Sequence, residues 1–248
     1  MRFQQLYSGS EGNAYIVTAS NGKKLLIEAG VTWPKLLAAL KFDLNSIACC
    51  LISHFHLDHC KAVPQVLTAG IDCYSSVETW MALSLGTARR AYRLLPKELY
   101  EVGGFYFKAY ESNHDTPGSL LFHIECDNEH LLFATDTRSI KQKFEVPFDI
   151  IAIECNYDKE ILRQREETGS ISSELAKRLL TSHLEKSETI RYLQEFCDLS
   201  KCREINLLHL SEGNLGSHEK IVDEFENIFL IETRTVESAK TLPCKNHS

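Results

Sequence analysis

The stretch SHFHLDHC, residues 53–60, holds three histidines and one aspartate within six consecutive positions. In an extended segment, residues i and i+2 point to the same side, so His54 and His56 can bind one ion. A zinc site on a helix would instead need two histidines four residues apart. Asp58 and His59 follow as the chain turns into the next helix, where they can face a second ion. The spacing therefore predicts a centre for two metal ions.

Three further residues with metal-binding side chains stand where predicted strands give way to loops. These residues are His114, Asp136 and His209. A lone histidine at such a place is more often a hydrogen-bonded structural residue. Because strand ends converge at one edge of a sheet-based fold, we expect these three side chains to join the cluster at residues 53–60.

The composition indicates one globular domain rather than two. The chain has 248 residues, of which 44% are hydrophobic, enough to bury one sizeable core. We expect a single domain at residues 1–235 and a flexible tail at residues 236–248, which lack any pattern. Nine cysteines without a CxxC pair indicate reduced, buried thiols.

The charge and the hydropathy restrict the location and the partners. The net charge is -7, so a nucleic-acid ligand would need a local basic patch or bound cations. No signal-like segment stands at the N-terminus, and no apolar run approaches the length of a membrane span. We therefore expect a cytoplasmic protein without a membrane partner, and leave a homodimer open.

The apolar patterns predict an α/β fold. Strands are predicted at residues 13–19, 23–30, 47–53, 71–75, 105–110, 120–126, 130–135, 149–155, 204–210 and 228–233. Helices are predicted at residues 33–42, 59–69, 77–85, 159–167, 172–180 and 187–196. Strands and helices occur in two successive sets, which favours two packed sheets between outer helices, a four-layer αββα sandwich.

One segment concentrates positive charge. TARRAYRLLPK, residues 87–97, contains three arginines and a lysine at its C-terminal end. Such a segment is most often a solvated helix face. The alternative is a contact with the phosphate backbone of a nucleic acid, if the segment lies beside the metal centre.

In its motifs and their order, the chain resembles the metallo-β-lactamase fold hydrolases. The resemblance covers nearly the whole chain and implies two zinc ions with Asp136 as the bridging ligand. By this likeness one ion would be held by His54, His56 and His114, and the other by Asp58, His59 and His209.

Looser matches indicate the YycJ/WalJ-like branch, whose members are associated with DNA exonuclease activity. They are YSGSEGNAYIV at residues 7–17, IECNYD at 153–158, HLEKSE at 183–188 and LLHLSEGN at 207–214. The chain departs from the family at Glu28, where Asp is usual, and at Ala62, where Gly is common. Glu28 is still expected to orient the ligand loop by hydrogen bonding, as carboxylates behind metal ligands do.

Several polar residues are candidates for catalysis or substrate contact. Asp58 and His183 are the predicted catalytic residues. His183 matches an extra histidine of ribonuclease Z and the β-CASP nucleases and is interpreted as a general acid or phosphate contact; the alternative is a helix-capping histidine. Ser8, Asn13, Ser211 and Asn214 are candidates for supporting the ligands or contacting substrate, whereas Glu154 and Asn156 either hold their loop or contact substrate.

The ligand types favour phosphoryl chemistry. Histidines with carboxylates suit two divalent ions, Zn²⁺ or Mn²⁺, and phosphate oxygens. We therefore expect a dinuclear phosphodiesterase that uses a metal-bridged hydroxide, with DNA as the preferred substrate and exonuclease-like activity. One alternative is a cyclic-nucleotide phosphodiesterase of the same fold. A second is a catalytically silent protein that binds nucleic acid or a partner.

Overall fold

A computed structural model of the chain describes residues 1–211 and 213–236. The strands in these ranges are β1 (Arg2–Tyr7), β2 (Ala14–Thr18), β3 (Lys24–Ile27), β4 (Ile47–Leu51), β5 (Cys73–Ser75), β6 (Ala91–Arg93), β7 (Leu99–Val102), β8 (Phe105–Glu111), β9 (Leu120–Cys126), β10 (Glu129–Ala134), β11 (Ile150–Glu154), β12 (Glu204–Leu208) and β13 (Glu232–Arg234). The helices are α1 (Trp33–Ala39), α2 (Leu57–Cys60), α3 (Val63–Thr68), α4 (Val77–Ala82), α5 (Lys159–Glu167), α6 (Ser173–Ser182), α7 (Lys186–Phe196) and α8 (His218–Phe229).

The strands form two sheets, each of which is partly antiparallel and partly parallel. The first runs from β1 to β6 in sequence order, and the second runs from β13 to β7. Pairing is antiparallel from β1 to β3 and from β7 to β10, and parallel from β3 to β6 and from β10 to β13. The loops after the parallel-paired strands β4, β10 and β12 contain His54, His56, Asp136 and His209, whereas His114 follows β8, which is antiparallel to both of its neighbours.

The core lies between the two sheets. Inward-facing residues of both sheets form one cluster, with Tyr15 and Leu25 on the first sheet and Phe107, Phe122 and Phe133 on the second. Inward-facing side chains alternate with outward-facing ones along each strand, because the two-residue period of a strand turns every second side chain inward.

The helices cover the outer faces of both sheets. Leu36, Val66 and Trp80 bring α1, α3 and α4 onto the first sheet. Leu193 and Phe225 bring α7 and α8 onto the second. The predicted four-layer αββα arrangement is therefore confirmed.

The structure corrects one predicted element and one interpretation of a segment. Residues 228–233, predicted as a strand, contain the end of α8 and the start of the short β13. The helix buries Ile221 and Phe225, four residues apart, and ends at Leu230, whose φ is 55°. Residues 87–97 are not a helix either, since β6 lies there and pairs with β5, while Arg90 forms an ion pair with Asp72.

Two findings bear on the ends and the surface of the chain. Apart from Val236, the predicted tail at residues 236–248 lies outside the described residues, so the domain boundary stays a prediction. Among the helices of the described ranges, none combines the length and the apolar character that a bilayer crossing requires.

Candidate metal centre

Three histidine nitrogens converge beyond the end of β4. His54 and His56 lie in the loop between β4 and α2, and His114 lies in the loop after β8. His54 Nε2 is 3.1 Å from His56 Nδ1, which is 3.3 Å from His114 Nε2. Two ligands of a tetrahedral zinc, each roughly 2.0–2.1 Å from the ion, stand at about this separation. The three nitrogens therefore fit one metal ion.

The outer nitrogens of these rings show which inner nitrogens are free to bind. His114 Nδ1 donates a hydrogen bond to the carbonyl oxygen of Ser182 at 2.9 Å, so its Nε2 carries the lone pair that faces the cluster. His56 Nε2 lies 3.5 Å from Asp115 Oδ1. An acceptor behind a histidine is the usual support for a metal ligand.

A second group of ligand atoms adjoins the first. His59 Nε2 lies 3.4 Å from Asp58 Oδ2 and 3.3 Å from Asp136 Oδ2, and His209 Nε2 lies 3.7 Å from Asp58 Oδ2. His209 Nε2 is buried and has no hydrogen-bond partner among the described residues. A buried nitrogen aimed at carboxylates without a hydrogen bond is what an ion between them would satisfy.

Asp136 belongs to both groups. Its Oδ2 lies 3.7 Å from the Nε2 atoms of both His54 and His114, besides its approach to His59. The ligand atoms of each group, Asp136 included, all lie within 4.8 Å of one another. Asp136 and His209 have positive φ angles of 44° and 52°, a strained conformation that tends to occur at functional sites.

The carboxylates and the buried histidines shift each other's pKa values. Burial lowers the pKa of His209, but Asp136, Asp58 and Glu154 outweigh it and raise this pKa to about 10. Burial raises the pKa of Asp58, but His209 and His59 hold it well below its ordinary value. Without a metal ion, the second group therefore keeps protons whose positive charge balances its carboxylates. Metal binding would release these protons.

Burial has the opposite result in the first group. It lowers the pKa of His54 well below its ordinary value, and the positive charge of His59 lowers it further. The pKa of His56 is also lowered, chiefly by burial and then by His114. Neutral imidazoles are the form that binds metal, so these two side chains are ready as ligands at neutral pH.

The predicted supporting residues lie directly behind the ligands. Glu28 accepts a hydrogen bond from the Ser53 N–H at 3.1 Å and stands 3.6 Å from His59 Nδ1. Asn13 donates to the Asp58 carbonyl oxygen at 3.1 Å, and Ser8 Oγ accepts the His209 N–H at 2.9 Å. These contacts fix the loops that carry the second group.

Ser211 and Asn214 lie further away. Ser211 lines the cleft over the centre, and its hydroxyl accepts a hydrogen bond from Asn214 Nδ2 at 2.7 Å. The side-chain oxygen of Asn214 accepts from Arg165 at 2.6 Å. Asn214 therefore holds its own loop, and the substrate contact predicted for it has no support in these contacts.

Glu154, at the end of β11, connects two histidines. Its Oε1 lies 2.7 Å from His183 Nδ1 and 3.4 Å from His209 Nδ1, and its Oε2 accepts the N–H groups of Thr137 and Leu184. Burial raises the pKa of Glu154, but His183 and His209 outweigh it and leave this pKa lowered. Sequence reasoning left its role open, since a glutamate at the end of a buried strand is equally consistent with a structural role.

His183 follows α6 and lies against the ligands of both groups. Its ring stacks on His209, with centroids 5.2 Å apart, and meets the His114 ring edge-on at 5.6 Å. Asn156, after β11, donates to the His209 carbonyl oxygen at 2.8 Å and so holds the loop. His183 thus lies beside a ligand of each group.

A cleft of about 630 Å³ opens over these residues. His56, Asp58, Asp136, His183 and His209 line it, together with the turn at residues 8–12 and one side of α6. The basic segment at residues 87–97 does not line it. Its Arg93 lines a separate cavity of about 450 Å³ instead.

Comparisons with known proteins agree with this fold. A sequence model of the metallo-β-lactamase superfamily matches residues 8–183. Exodeoxyribonuclease YycJ of Bacillus anthracis is 26% identical over 183 residues, which cover 69% of this chain and 69% of that protein. The anti-Pycsar protein Apyc1 of Bacillus phage 010DV004 is 44% identical over 54 residues, 22% of this chain and 21% of the phage protein.

A solved structure extends the likeness to the whole chain. The metallo-β-lactamase fold protein YhfI of Bacillus subtilis superimposes with a TM-score of 0.70 at 17% identity, covering 94% of both chains. The family match spans well over half of the chain, and the strand-end histidines and aspartates are brought together. The chain belongs to the metallo-β-lactamase superfamily and is a metal-dependent hydrolase.

Proposed function

We propose that the protein is a dinuclear phosphodiesterase, and specifically a nuclease that acts on DNA. The observation that carries this proposal is the pair of ligand groups that share Asp136. One ion would be held by His54, His56 and His114, and the other by Asp58, His59 and His209. When bound, two divalent ions such as Zn²⁺ or Mn²⁺ activate water and neutralise charge on phosphoryl oxygens.

The side chains of the centre have separate tasks in this proposal. Asp136 and Asp58 supply the negative charge that holds two cations close together. Asn13 and Glu28 keep the loop with Asp58 and His59 in place.

His183 is the proposed general acid. A departing alkoxide must receive a proton, and a positioned histidine can supply it. Glu154 binds His183 Nδ1, so Nε2 is the nitrogen left for proton exchange in the cleft that His183 lines.

The relatives support a nucleic-acid substrate. The likeness to exodeoxyribonuclease YycJ extends over more than two thirds of both chains, which favours DNA. One observation favours the alternative of a small cyclic nucleotide. Among the lining residues that the structure describes, Arg178 is the single lysine or arginine, and a substrate with one charge needs few cations.

A substrate panel tests the proposal. With Mn²⁺ or Zn²⁺ added, we expect the protein to cleave single- or double-stranded DNA in preference to RNA and cyclic mononucleotides. The KM for DNA should rise steeply with salt because binding releases counterions, whereas the KM for a cyclic mononucleotide should respond weakly. Cleavage of cyclic mononucleotides alone would establish the alternative, and no cleavage of any phosphodiester would contradict both.

A further inference from the structure

Arg178 is the basic side chain that α6 presents to the cleft. Four cleft-side residues of this helix and its end, Leu175, Arg178, Leu179 and His183, follow the three- and four-residue spacing of one helix face. Arg178, on the helix, and the proposed general acid, at its C-cap, therefore both line the cleft.

The contacts of Arg178 leave most of its donors unused. Its side chain is 58% exposed, and its Nε lies 3.6 Å from Asp115 Oδ2, too far for a direct hydrogen bond. A guanidinium has five N–H donors in a planar fork that matches the oxygens of a phosphate. Arg178 can therefore accept an anion without losing a buried partner.

Asp115 lies between the Arg178 guanidinium and the metal centre. Its Oδ2 accepts a hydrogen bond from Ser182 Oγ at 3.1 Å, and its Oδ1 lies 3.2 Å from His114 Nε2. The same carboxylate thus contacts the helix with Arg178 and the loop with a proposed metal ligand. Arg178 therefore lies on the side of the cleft that is nearest to Asp115 and His114.

We infer that Arg178 binds the phosphate next to the scissile one in a nucleic-acid chain, with Asp115 as the residue that positions it. This inference rests on the proposed function and adds a substrate subsite to it. The cleft lining is otherwise acidic or neutral, apart from histidines, so the arginine is the group that distinguishes a chain of phosphates from a single phosphodiester. The expected ligand is a single-stranded oligonucleotide longer than one linkage.

Binding measurements test the inference apart from catalysis. The probe is a fluorescein-labelled oligothymidylate with phosphorothioate linkages, bound to the zinc-loaded protein and followed by anisotropy between about 50 and 200 mM salt. We expect Arg178→Gln to weaken binding about tenfold to a hundredfold and to reduce the salt slope by about one. Arg178→Lys should restore the slope but only part of the affinity, because it keeps the charge and loses the fork.

Lys177→Gln is the matched control. Lys177 is the exposed neighbour of Arg178 on α6 and does not line the cleft, so its removal should leave affinity and slope as in the parent. In cleavage assays, Arg178→Gln should raise the KM for the unmodified oligothymidylate more than the KM for bis-p-nitrophenyl phosphate, which has one phosphate.

The outcomes separate this inference from the proposed function. Equal affinity and slope in the parent and in Arg178→Gln, or equal losses in Lys177→Gln, would overturn the subsite even if the parent cleaves DNA. Failure of the parent to bind the oligonucleotide would overturn it as well. Loss of binding confined to Arg178→Gln, in a parent that cleaves no phosphodiester, would support the subsite and contradict the proposed function.

Discussion

At the scale of single residues, the sequence identified the ligands better than the side chains behind them. The spacing of His54 and His56 follows from the geometry of an extended chain, so the pattern itself predicts their shared direction. Glu154 has no such local signature. A glutamate at the end of a buried strand is equally consistent with a structural role, and only its contacts with His183 and His209 assign it to the centre.

His183→Asn tests the proposed proton donor. We expect kcat to fall by about a hundredfold to ten-thousandfold on an oligonucleotide, whose leaving group is an alkoxide. The loss should be much smaller on bis-p-nitrophenyl phosphate, because p-nitrophenolate leaves without a proton. Glu154→Gln should give the same contrast in a milder form. Equal losses on the two substrates would show that His183 is not the general acid.

Gly30→Ala tests how closely the ligand loop is packed. A Cβ at Gly30 would lie 1.6 Å from the Asp58 carbonyl oxygen and 2.7 Å from the His59 backbone nitrogen. The loop must move, so we expect a loss of about 1–3 kcal/mol in the free energy of unfolding and weaker zinc binding. Urea unfolding and zinc titration measure the two effects.

The control for that change is Gly86→Ala. A Cβ at Gly86 meets no atom within 4 Å, so stability and zinc affinity should match those of the parent. If Gly30→Ala also behaved like the parent, the close contact between Gly30 and the ligand loop would be wrong.

At the scale of elements, the pattern of apolar residues predicted strands and helices correctly where tertiary packing favoured the same structure. The central strands, such as β4 and β11, were found because continuous apolar runs mark strands buried on both faces. The run at residues 228–233 is also largely apolar, yet it contains the end of α8, whose helix face is buried by the second sheet. A short apolar run does not by itself distinguish a helix end from a strand.

His123 on β9 gives the fold a pH dependence of its own. It packs against Phe144 and Phe148 and contacts His130 on β10, with 3.1 Å between the nitrogens. Burial, with smaller contributions from His130 and Lys108, lowers the pKa of His123 from 6.5 to about 4. The unfolded chain therefore binds this proton more readily than the folded one, and stability is lost as the pH falls from 6.5 to 4.

His123→Phe should reduce that loss. The substitution keeps the aromatic packing and removes the titrating group, so the free energy of unfolding should fall less between pH 6.5 and 4, by up to about 3 kcal/mol. Urea unfolding at several pH values, with chelator in both samples to remove the contribution of the metal ligands, measures the difference. Parallel pH profiles for parent and variant would refute it.

At the scale of the whole molecule, the two packed sheets bring distant parts of the chain to one edge. The first sheet supplies His54 through the loop after β4, whereas the second supplies Asp136 after β10 and His209 after β12. The order of the motifs predicted this convergence, because the family resemblance carried the topology with it. The contacts of Arg178 and Asp115 were not predictable, since they depend on how α6 packs beside the loop after β8.

The net charge of -7 is a property of the whole molecule that the metal centre partly explains. Part of the negative charge is concentrated where two cations are proposed to bind, at Asp58 and Asp136, with Glu154 behind them. Bound cations would offset that charge and make the cleft attractive to phosphate. An acidic protein can therefore act on nucleic acid if the metal centre and Arg178 supply the local positive charge.

The most direct test of the central claim is the rate of bis-p-nitrophenyl phosphate cleavage by the parent and by Asp136→Ala, each supplied with Zn²⁺ or Mn²⁺. Asp136 is the ligand that both groups share, so its loss should remove several kcal/mol of transition-state stabilisation and slow cleavage at least about a hundredfold. Equal rates in the parent and in Asp136→Ala would contradict the two-metal phosphodiesterase.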